Sequence, residues 1–356
     1  MNADGILKLK KTVEQLCKCP PKKLLSTIVI TALFTCPTAL ATTQVFKPLV
    51  LFPAELYKGS YSQLINNGIS RFEEQTGVTV KRIRIKRNNA LYVEELNKAA
   101  SEGYSPIIVQ DSNSINTFGH IARQHPSIRF ISLDVSYHVP NILGLTFNHA
   151  EGTYVLGYLA GLKTSSNQIG FIGGLDIPVI NNFQCGFELG IKDSNPKATL
   201  STQYINNGAL SWSDTDTAHT MSEEMLSKGI DIIFPAAGYS SVGVMDAVKE
   251  HSQNGQPSYS FGVDYDYSDK YPNTSLASLE KKVDIAVFAA LMQLKNEIWN
   301  GNRKHFGIKQ GVINVTVNPK TPKLSPEDKK IVDKLIIELK GKNNAISQRI
   351  AQSCQS

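Results

Sequence analysis

The chain has few cysteines, five in 356 residues, and their positions exclude a disulfide-rich or zinc-finger class of protein. Cys17, Cys19 and Cys36 lie in the first 36 residues, and Cys17-x-Cys19 lacks the two-residue spacer of a zinc knuckle. Cys185 and Cys354 remain. Because Cys354 lies in a polar C-terminal tail, we expect no disulfide between these two, and we expect no metal site.

The chain also lacks an apolar run of membrane-spanning length. The run Leu24–Phe34 has about 11 residues, whereas a transmembrane helix needs about 20. Lys22 and Lys23 precede this run and Ala39-Leu40-Ala41 follows it, so residues 1–41 are predicted to be a signal peptide that is cleaved after Ala41. We therefore expect a periplasmic protein of the Gram-negative type, or a membrane-anchored lipoprotein if Cys36 is lipidated.

Strong charge is absent from the predicted mature protein. The formal net charge is +6, but the first 41 residues carry six lysines against two acids, a net +4, which leaves only +2. A net charge of only +2 does not indicate the basic surface that binds DNA or RNA, and we expect no nucleic-acid partner.

The common catalytic and nucleotide-binding signatures are missing as well. The segment Gly170–Gly174 lacks the Gly-x-Gly-x-x-Gly spacing of a dinucleotide site, and Gly238–Gly243 lacks the Gly-Lys-Ser/Thr end of a P-loop. None of the seven histidines forms a His-Glu-x-x-His pair, and Ser240 and Ser241 do not lie in a Gly-x-Ser-x-Gly motif. We therefore expect no enzyme and no cofactor.

Short apolar runs of strand length do alternate with helical patterns from Lys47 onward. The runs Leu49–Phe52, Val78–Ile85, Pro106–Val109 and Arg129–Leu133 are each followed by polar or amphipathic segments, and the same rhythm restarts after Glu151. This alternation predicts an α/β fold of two doubly wound parallel-sheet units in tandem.

Ligands of open parallel sheets bind where the strands end, so the residues after each strand are the candidate site. The rule selects short segments that contain Tyr61, Asp111, Asp134, Asp176, Phe183, Gly238 and Asp264. Acids accept hydrogen bonds from sugar hydroxyls, and aromatic faces stack on a base. Each residue also has a structural alternative: Glu151 can stabilise a helix N-terminus, Asp264 can cap a turn, and Tyr61 and Phe183 can be core residues.

Several ordered motifs between Tyr57 and Val317 resemble one family. These are EGTYVLGYLAGLK from Glu151, IGFIGGLDIPVI from Ile169, FQCGFELGIK from Phe183, GVD from Gly262 and SLEKKVD from Ser278. In this order they are similar to the basic membrane protein (BMP) family of ABC-transporter substrate-binding proteins, many of which resemble purine nucleoside receptors.

The resemblance implies a type I periplasmic-binding-protein fold of two lobes with three crossovers, acting as a monomer that delivers its solute to an ABC permease. The implied first lobe is residues 46–149 plus 265–312, and the second is 150–264 plus 313–342, followed by a polar, frayed tail, 343–356. Tyr61 and Phe183 take the positions that stack on the base. Glu151, Asp264 and Lys281 are implied on the ribose hydroxyls, with Gly238 allowing close backbone approach.

The chain departs from the family in the first lobe. Relatives have Asp-Lys-Ser-Phe-Asn where this chain has Lys58-Gly-Ser-Tyr-Ser62, so that an amide able to bond a base edge becomes the shorter Ser62. Asp111 follows its strand where relatives often carry glycine, and it can compensate by accepting from a base amine.

Two other functions remain open from the sequence. A nucleoside hydrolase or phosphorylase would use Glu151 or Asp264 as acid or base and would show turnover. A sensor of the same receptor class would bind a sugar or other solute and signal to a membrane partner.

Overall fold

A computed structural model describes residues 45–354, except positions 54–55, 58, 86–88, 111–114, 300, 302 and 342–343. The predicted signal peptide, Lys58 and the candidate Asp111 lie outside the described residues.

The described chain alternates strands and helices, as the sequence predicts. In chain order the strands are β1 (Leu49–Phe52), β2 (Lys81–Arg84), β3 (Ile107–Val109), β4 (Phe130–Leu133), β5 (Ile142–Phe147), β6 (Gln168–Gly173), β7 (Thr199–Tyr204), β8 (Ile232–Ala236), β9 (Tyr259–Asp264), β10 (Ser275–Lys281), β11 (Lys304–Phe306) and β12 (Ile313–Val317). The helices are α1 (Tyr61–Thr76), α2 (Asn89–Ser101), α3 (Ile115–Gln124), α4 (His149–Lys163), α5 (Pro178–Ser194), α6 (Thr215–Ser227), α7 (Ser241–Gln253), α8 (Val283–Lys295), α9 (Pro326–Lys340) and α10 (Ala345–Ser353). Two short 3-10 helices, Gly208–Trp212 and Gly238–Ser240, lie in the second half.

The strands form two six-stranded sheets with matching strand orders. The first has the order β11-β5-β4-β3-β1-β2 and the second β12-β10-β9-β8-β6-β7. Every described pairing is parallel except that of β10 with β12. The predicted α/β fold of two parallel-sheet lobes is confirmed.

Sequence composition explains why these sheets are buried on both faces. All residues of β1, β3, β4, β5 and β8 are buried, which is the pattern of strands covered by helices on either side. Helix α1 begins with the Ser60 hydroxyl accepting from the Gln63 amide and ends at Gly77, whose φ of 68° a glycine adopts without strain. These ends place Tyr61 at the first turn of α1, at the carboxyl edge of the first sheet.

The chain crosses between the lobes three times, and one crossing differs from the predicted boundary. The first follows β5 at Phe147–His149, and the third joins β11 to β12 at Phe306–Ile313. The predicted second boundary, between Asp264 and Tyr265, is wrong. Strand β10 pairs with β9 and β12, so the chain stays in the second lobe until Lys281 and crosses at Lys281–Val283.

The C-terminal tail is ordered, contrary to the prediction of a frayed segment. Asn344 caps helix α10 by accepting from the Ser347 amide, Ile350 is buried, and Cys354 forms a disulfide with Cys185 of α5. The expectation of two free thiols is therefore wrong. The amphipathic helix packs its apolar side on α4 and α5, and this brings Cys354 against Cys185, which the spacing of the two residues in the sequence does not indicate.

We expect the disulfide to contribute strongly to stability. Replacing Cys185 and Cys354 together by serine should lower the free energy of unfolding by about 2–4 kcal/mol, because the bond closes a long loop of the unfolded chain. Chemical denaturation measures this difference. A reductant should produce the same loss in the wild-type protein and no further loss in the double serine variant; a wild-type protein insensitive to reductant would contradict the prediction.

Candidate functional site

Two aspartates occupy equivalent positions at the carboxyl edges of the two sheets. Asp134 directly follows β4 and Asp264 ends β9, and these strands hold the same position in the matching strand orders. Both residues have left-handed backbone, with φ of 68° and 67°. Such a conformation is strained for most residues and tolerated best by Asn and Asp, so it aims both carboxylates outward from the strand ends toward the cleft.

Lys281 connects the lobes at this point. It ends β10 of the second lobe, is only 4% exposed, and its ammonium donates to the Asp134 carboxylate of the first lobe. The same ammonium lies 4.1 Å from the ring centre of Tyr61 and 4.4 Å from that of Phe147, distances typical of cation–π contacts. The ammonium of this second-lobe residue therefore contacts two aromatic rings and one carboxylate of the first lobe.

The second aspartate is held in a poorly solvated environment. Burial raises the pKa of Asp264 to about 6, Lys281 opposes this rise, and Asp134 adds to it. The pKa of the Tyr61 hydroxyl lies well above its ordinary value because of burial and the two nearby carboxylates. At neutral pH the site thus combines a carboxylate that protonates easily with a neutral phenol and a buried ammonium.

Phe183 lies where the resemblance places a stacking aromatic, and its ring is in contact with a histidine. The imidazole of His149, the first residue of α4, stacks on it with centres 4.2 Å apart and planes at 20°. Both side chains are buried, with 5% of Phe183 and 2% of His149 exposed. The structure therefore places Phe183 against His149 within the buried hydrophobic cluster that also contains Phe147 and Phe187.

Further contacts join the lobes beside the charged cluster. Tyr57 of the first lobe stacks on Tyr239 of the second with ring centres 4.8 Å apart, and the Tyr267 hydroxyl donates to the Gly59 carbonyl at 3.2 Å. Gly238 precedes Tyr239 with φ of 58° and forms the turn that presents this ring. The two lobes are therefore in contact at Tyr57–Tyr239 and at Gly59–Tyr267 as well as at Lys281.

Ser62 lies at the start of α1 and is part of the first-lobe edge. Its hydroxyl donates to the Gln110 side-chain oxygen at 2.9 Å, which leaves the amide nitrogen of Gln110 as a donor at the end of β3. Ser62 and Gln110 together therefore present hydrogen-bonding atoms at this edge of the first sheet.

Two predicted site residues lie apart from this cluster. Glu151 accepts from the Ile308 amide at 3.1 Å and from the Ser347 hydroxyl at 2.9 Å, so its carboxylate is engaged by the third crossover and the tail helix. It lies there because α4 starts directly after the first crossover, next to the third. Asp176 is exposed and accepts from the Asn181 side chain at 2.9 Å. The geometry gives neither residue a contact with Asp264 or Lys281.

A cavity of about 1280 Å³ adjoins the cluster on the side of the crossovers. Asp134 and His149 form its boundary with the charged cluster, and Trp299, Arg303 and the tail residue Ile350 line other walls. The strand-end rule selected Asp134, as it did Asp264, but the family resemblance assigned Asp134 no contact with the solute. His149 is the residue of this group that sequence reasoning left out, because it precedes the motif that begins at Glu151.

The described residues hold no group of three or more His, Cys, Asp or Glu side chains arranged to bind a metal ion. Among the helices of the described chain, none has the length and apolar character to cross a membrane.

The fold and site can now be compared with known proteins. Residues 47–350 match the family model Bmp, described as ABC transporter substrate-binding protein PnrA-like. "Basic membrane protein B" of Borreliella afzelii is 30% identical over 279 residues, covering 72% of this chain and 80% of the relative.

Two solved structures show the same fold. A solute-binding protein of an ABC transporter system from Aeropyrum pernix has a TM-score of 0.70 and 21% identity, covering 87% of this chain and 90% of that one. A 5-methylthioribose transporter solute-binding protein from Thermotoga lettingae, in complex with 5-methylthioribose, has a TM-score of 0.61 and 12% identity, covering 86% and 99%. With two parallel-sheet lobes, a buried polar and aromatic cluster where the lobes meet, and a family match across nearly all described residues, this chain belongs to the Bmp family of ABC-transporter substrate-binding proteins.

Proposed function

We propose that the protein binds a purine nucleoside between its lobes and delivers it to an ABC permease. The observation that carries the proposal is the cluster of Asp134, Asp264 and Lys281 at the strand ends beside the Tyr61 ring. Phe183 adjoins this cluster through His149, which stacks on it and lies 3.5 Å from Asp134.

The second lobe supplies groups suited to a sugar. Asp264 is buried, and as a carboxylate it can accept two hydrogen bonds from vicinal hydroxyls. The adjacent Lys281 ammonium is a donor that can bond a ribose oxygen while it neutralises Asp134. The Thermotoga lettingae protein, which binds a ribose derivative, supports the view that this fold accommodates such a ring.

The first lobe supplies groups suited to a base. Tyr61 offers a ring face, and Ser62 with Gln110 offers an edge with both donor and acceptor atoms. Asp134 accepts hydrogen bonds, as a base amine requires. Because these groups come from the lobe opposite Asp264, a solute with a sugar at one end and a base at the other would engage both lobes at once.

A thermal-shift screen with nucleosides, free bases, pentoses and hexoses tests the proposal. A purine nucleoside at 100 times its dissociation constant should stabilise the protein by about 2.7 kcal/mol, and more than either its base or its sugar alone. Incubation with the same nucleoside, followed by chromatography, should return it uncleaved. A shift with hexoses and none with nucleosides, or release of free base, would overturn the proposal.

Export, a monomeric state and the absence of turnover are parts of this proposal. Delivery to a permease requires that the predicted signal peptide, residues 1–41, direct the chain across the membrane. Fractionation of cells and size-exclusion chromatography of the mature protein test the first two.

A further inference from the structure

The stacking face of Phe183 is shared with a side chain of the protein itself. The His149 imidazole is nearly parallel to the Phe183 ring at a centre-to-centre distance of 4.2 Å, the geometry that a bound heteroaromatic ring would adopt. A flat ring that enters the site can therefore stack on Phe183 only if it displaces the His149 imidazole.

Hydrogen bonds do little to hold His149 in this position. Its Nε2 lies 3.5 Å from Asp134 Oδ1, and among the described residues no group bonds to this nitrogen in good geometry. The charged and titratable groups around the ring are Asp134, Lys281 and His305. Burial, with Lys281 and His305, lowers the pKa of His149 well below its ordinary value, so the imidazole is neutral and forms no ion pair with Asp134. A buried polar atom without a partner is costly, so the ring is held by its aromatic contacts, which are the stack on Phe183 and a tilted contact with Phe147 at a centre-to-centre distance of 6.0 Å.

Space for another position of this side chain exists next to it. His149 lines the cavity of about 1280 Å³ together with Asp134, Phe147 and the tail residue Ile350. A rotation about the side-chain torsions would carry the imidazole from the Phe183 face into this cavity, where solvent can satisfy Nε2.

We propose that the His149 imidazole competes with the solute for the Phe183 face, so that any flat ring that stacks on Phe183 must first displace it. The cost of moving the imidazole is the same for every ring that takes this face, so His149 lowers the affinity of all base-bearing solutes by one common factor. Sugars without a base do not use this face, and their affinity is unaffected. The inference rests on the proposed nucleoside function and names the residue that limits its affinity.

Removing the imidazole should tighten binding, a result that general damage to the site would not give. We expect His149→Ala to lower the dissociation constant of a purine nucleoside by about two- to tenfold, the range expected for an aromatic pair, measured by isothermal titration calorimetry. Purine and pyrimidine nucleosides should gain by the same factor, whereas a free pentose should gain nothing, because only solutes that use the Phe183 face lose the competitor. His120→Ala, on the exposed side of α3, is the matched control and should change neither value.

A second measurement uses the wild-type protein and so does not depend on how the variant folds. In histidine-labelled protein, the His149 ring protons should be shifted upfield by the Phe183 ring current, and saturation with a purine nucleoside should remove this shift. Binding of nucleosides that leaves the His149 signals in place, or that weakens in His149→Ala, would overturn the inference. If neither protein binds any nucleoside, the proposed function itself fails, and the inference fails with it.

Discussion

Replacing Lys281 with methionine is expected to lower the free energy of unfolding by about 3–5 kcal/mol at pH 7.5. The ammonium is 4% exposed and pairs with Asp134, which is 13% exposed, while Asp264 lies beside it. Methionine keeps most of the side-chain volume but leaves two carboxylates facing each other without a cation. The loss should be measured by chemical denaturation.

The pH dependence separates lost charge from lost packing. Lys281 lowers the pKa of Asp264, so without it this pKa should rise further in the folded state, and protonation on acidification relieves the repulsion. The difference between variant and wild type should therefore be smaller at pH 5 than at pH 7.5. Lys282→Met, one position along the chain, is the control and should have little effect. Equal losses in both variants, or a difference independent of pH, would contradict this explanation.

Replacing Asp264 with asparagine is expected to weaken solute binding by about 30- to 1000-fold, because truncating a buried charge that bonds a ligand costs about 2–4 kcal/mol. Asparagine suits this position, since it has nearly the same shape and also tolerates a φ of 67°. Isothermal titration calorimetry with the best solute from the screen measures the loss. An Asp264→Asn protein with wild-type affinity would exclude this residue from the site.

Affinity and stability should respond to pH in opposite directions through Asp264. Its folded-state pKa of about 6 lies above the ordinary value of 3.8. Acidification from pH 7.5 to pH 5 protonates the carboxylate and should weaken wild-type binding by about tenfold. The free energy of unfolding should instead fall as the pH rises. The reason is that Asp264 loses its proton at a lower pH in the unfolded chain than in the folded protein, and this difference costs up to about 3 kcal/mol of stability once the pH passes 6. The asparagine variant should lack both dependences and be more stable than wild type at pH 7.5.

The alternation of apolar runs with helical patterns predicted the fold, and the strand-end rule selected residues that the structure brings together. Runs such as Leu49–Phe52 are buried throughout because helices cover both faces, and this is readable from composition. Asp264 and Lys281 lie together in the structure, since both end neighbouring strands of one sheet.

What the sequence could not predict depends on contacts between distant segments. The second crossover was misplaced because pairing of β10 with β12 is a long-range choice that local pattern does not determine. Glu151 opens a helix in a motif typical of the family, yet its carboxylate is used by Ile308 and Ser347, residues 157 and 196 positions away. The Cys185–Cys354 bond likewise follows from docking of the tail helix.

Two neighbouring strands of each lobe have a counterpart in the other lobe: β4 corresponds to β9, and β5 corresponds to β10. The residues at the ends of the first pair match, and those at the ends of the second pair differ. Asp134 and Asp264 are counterparts, but the counterpart of Lys281, at the end of β5, is Phe147. Lys281 and Phe147 meet across the lobes at 4.4 Å. Among the described residues that end these four strands, two are carboxylates and one is a cation, which pairs directly with the first-lobe carboxylate. This asymmetry gives the cleft a direction, so a solute with two chemically different ends should enter in one orientation only.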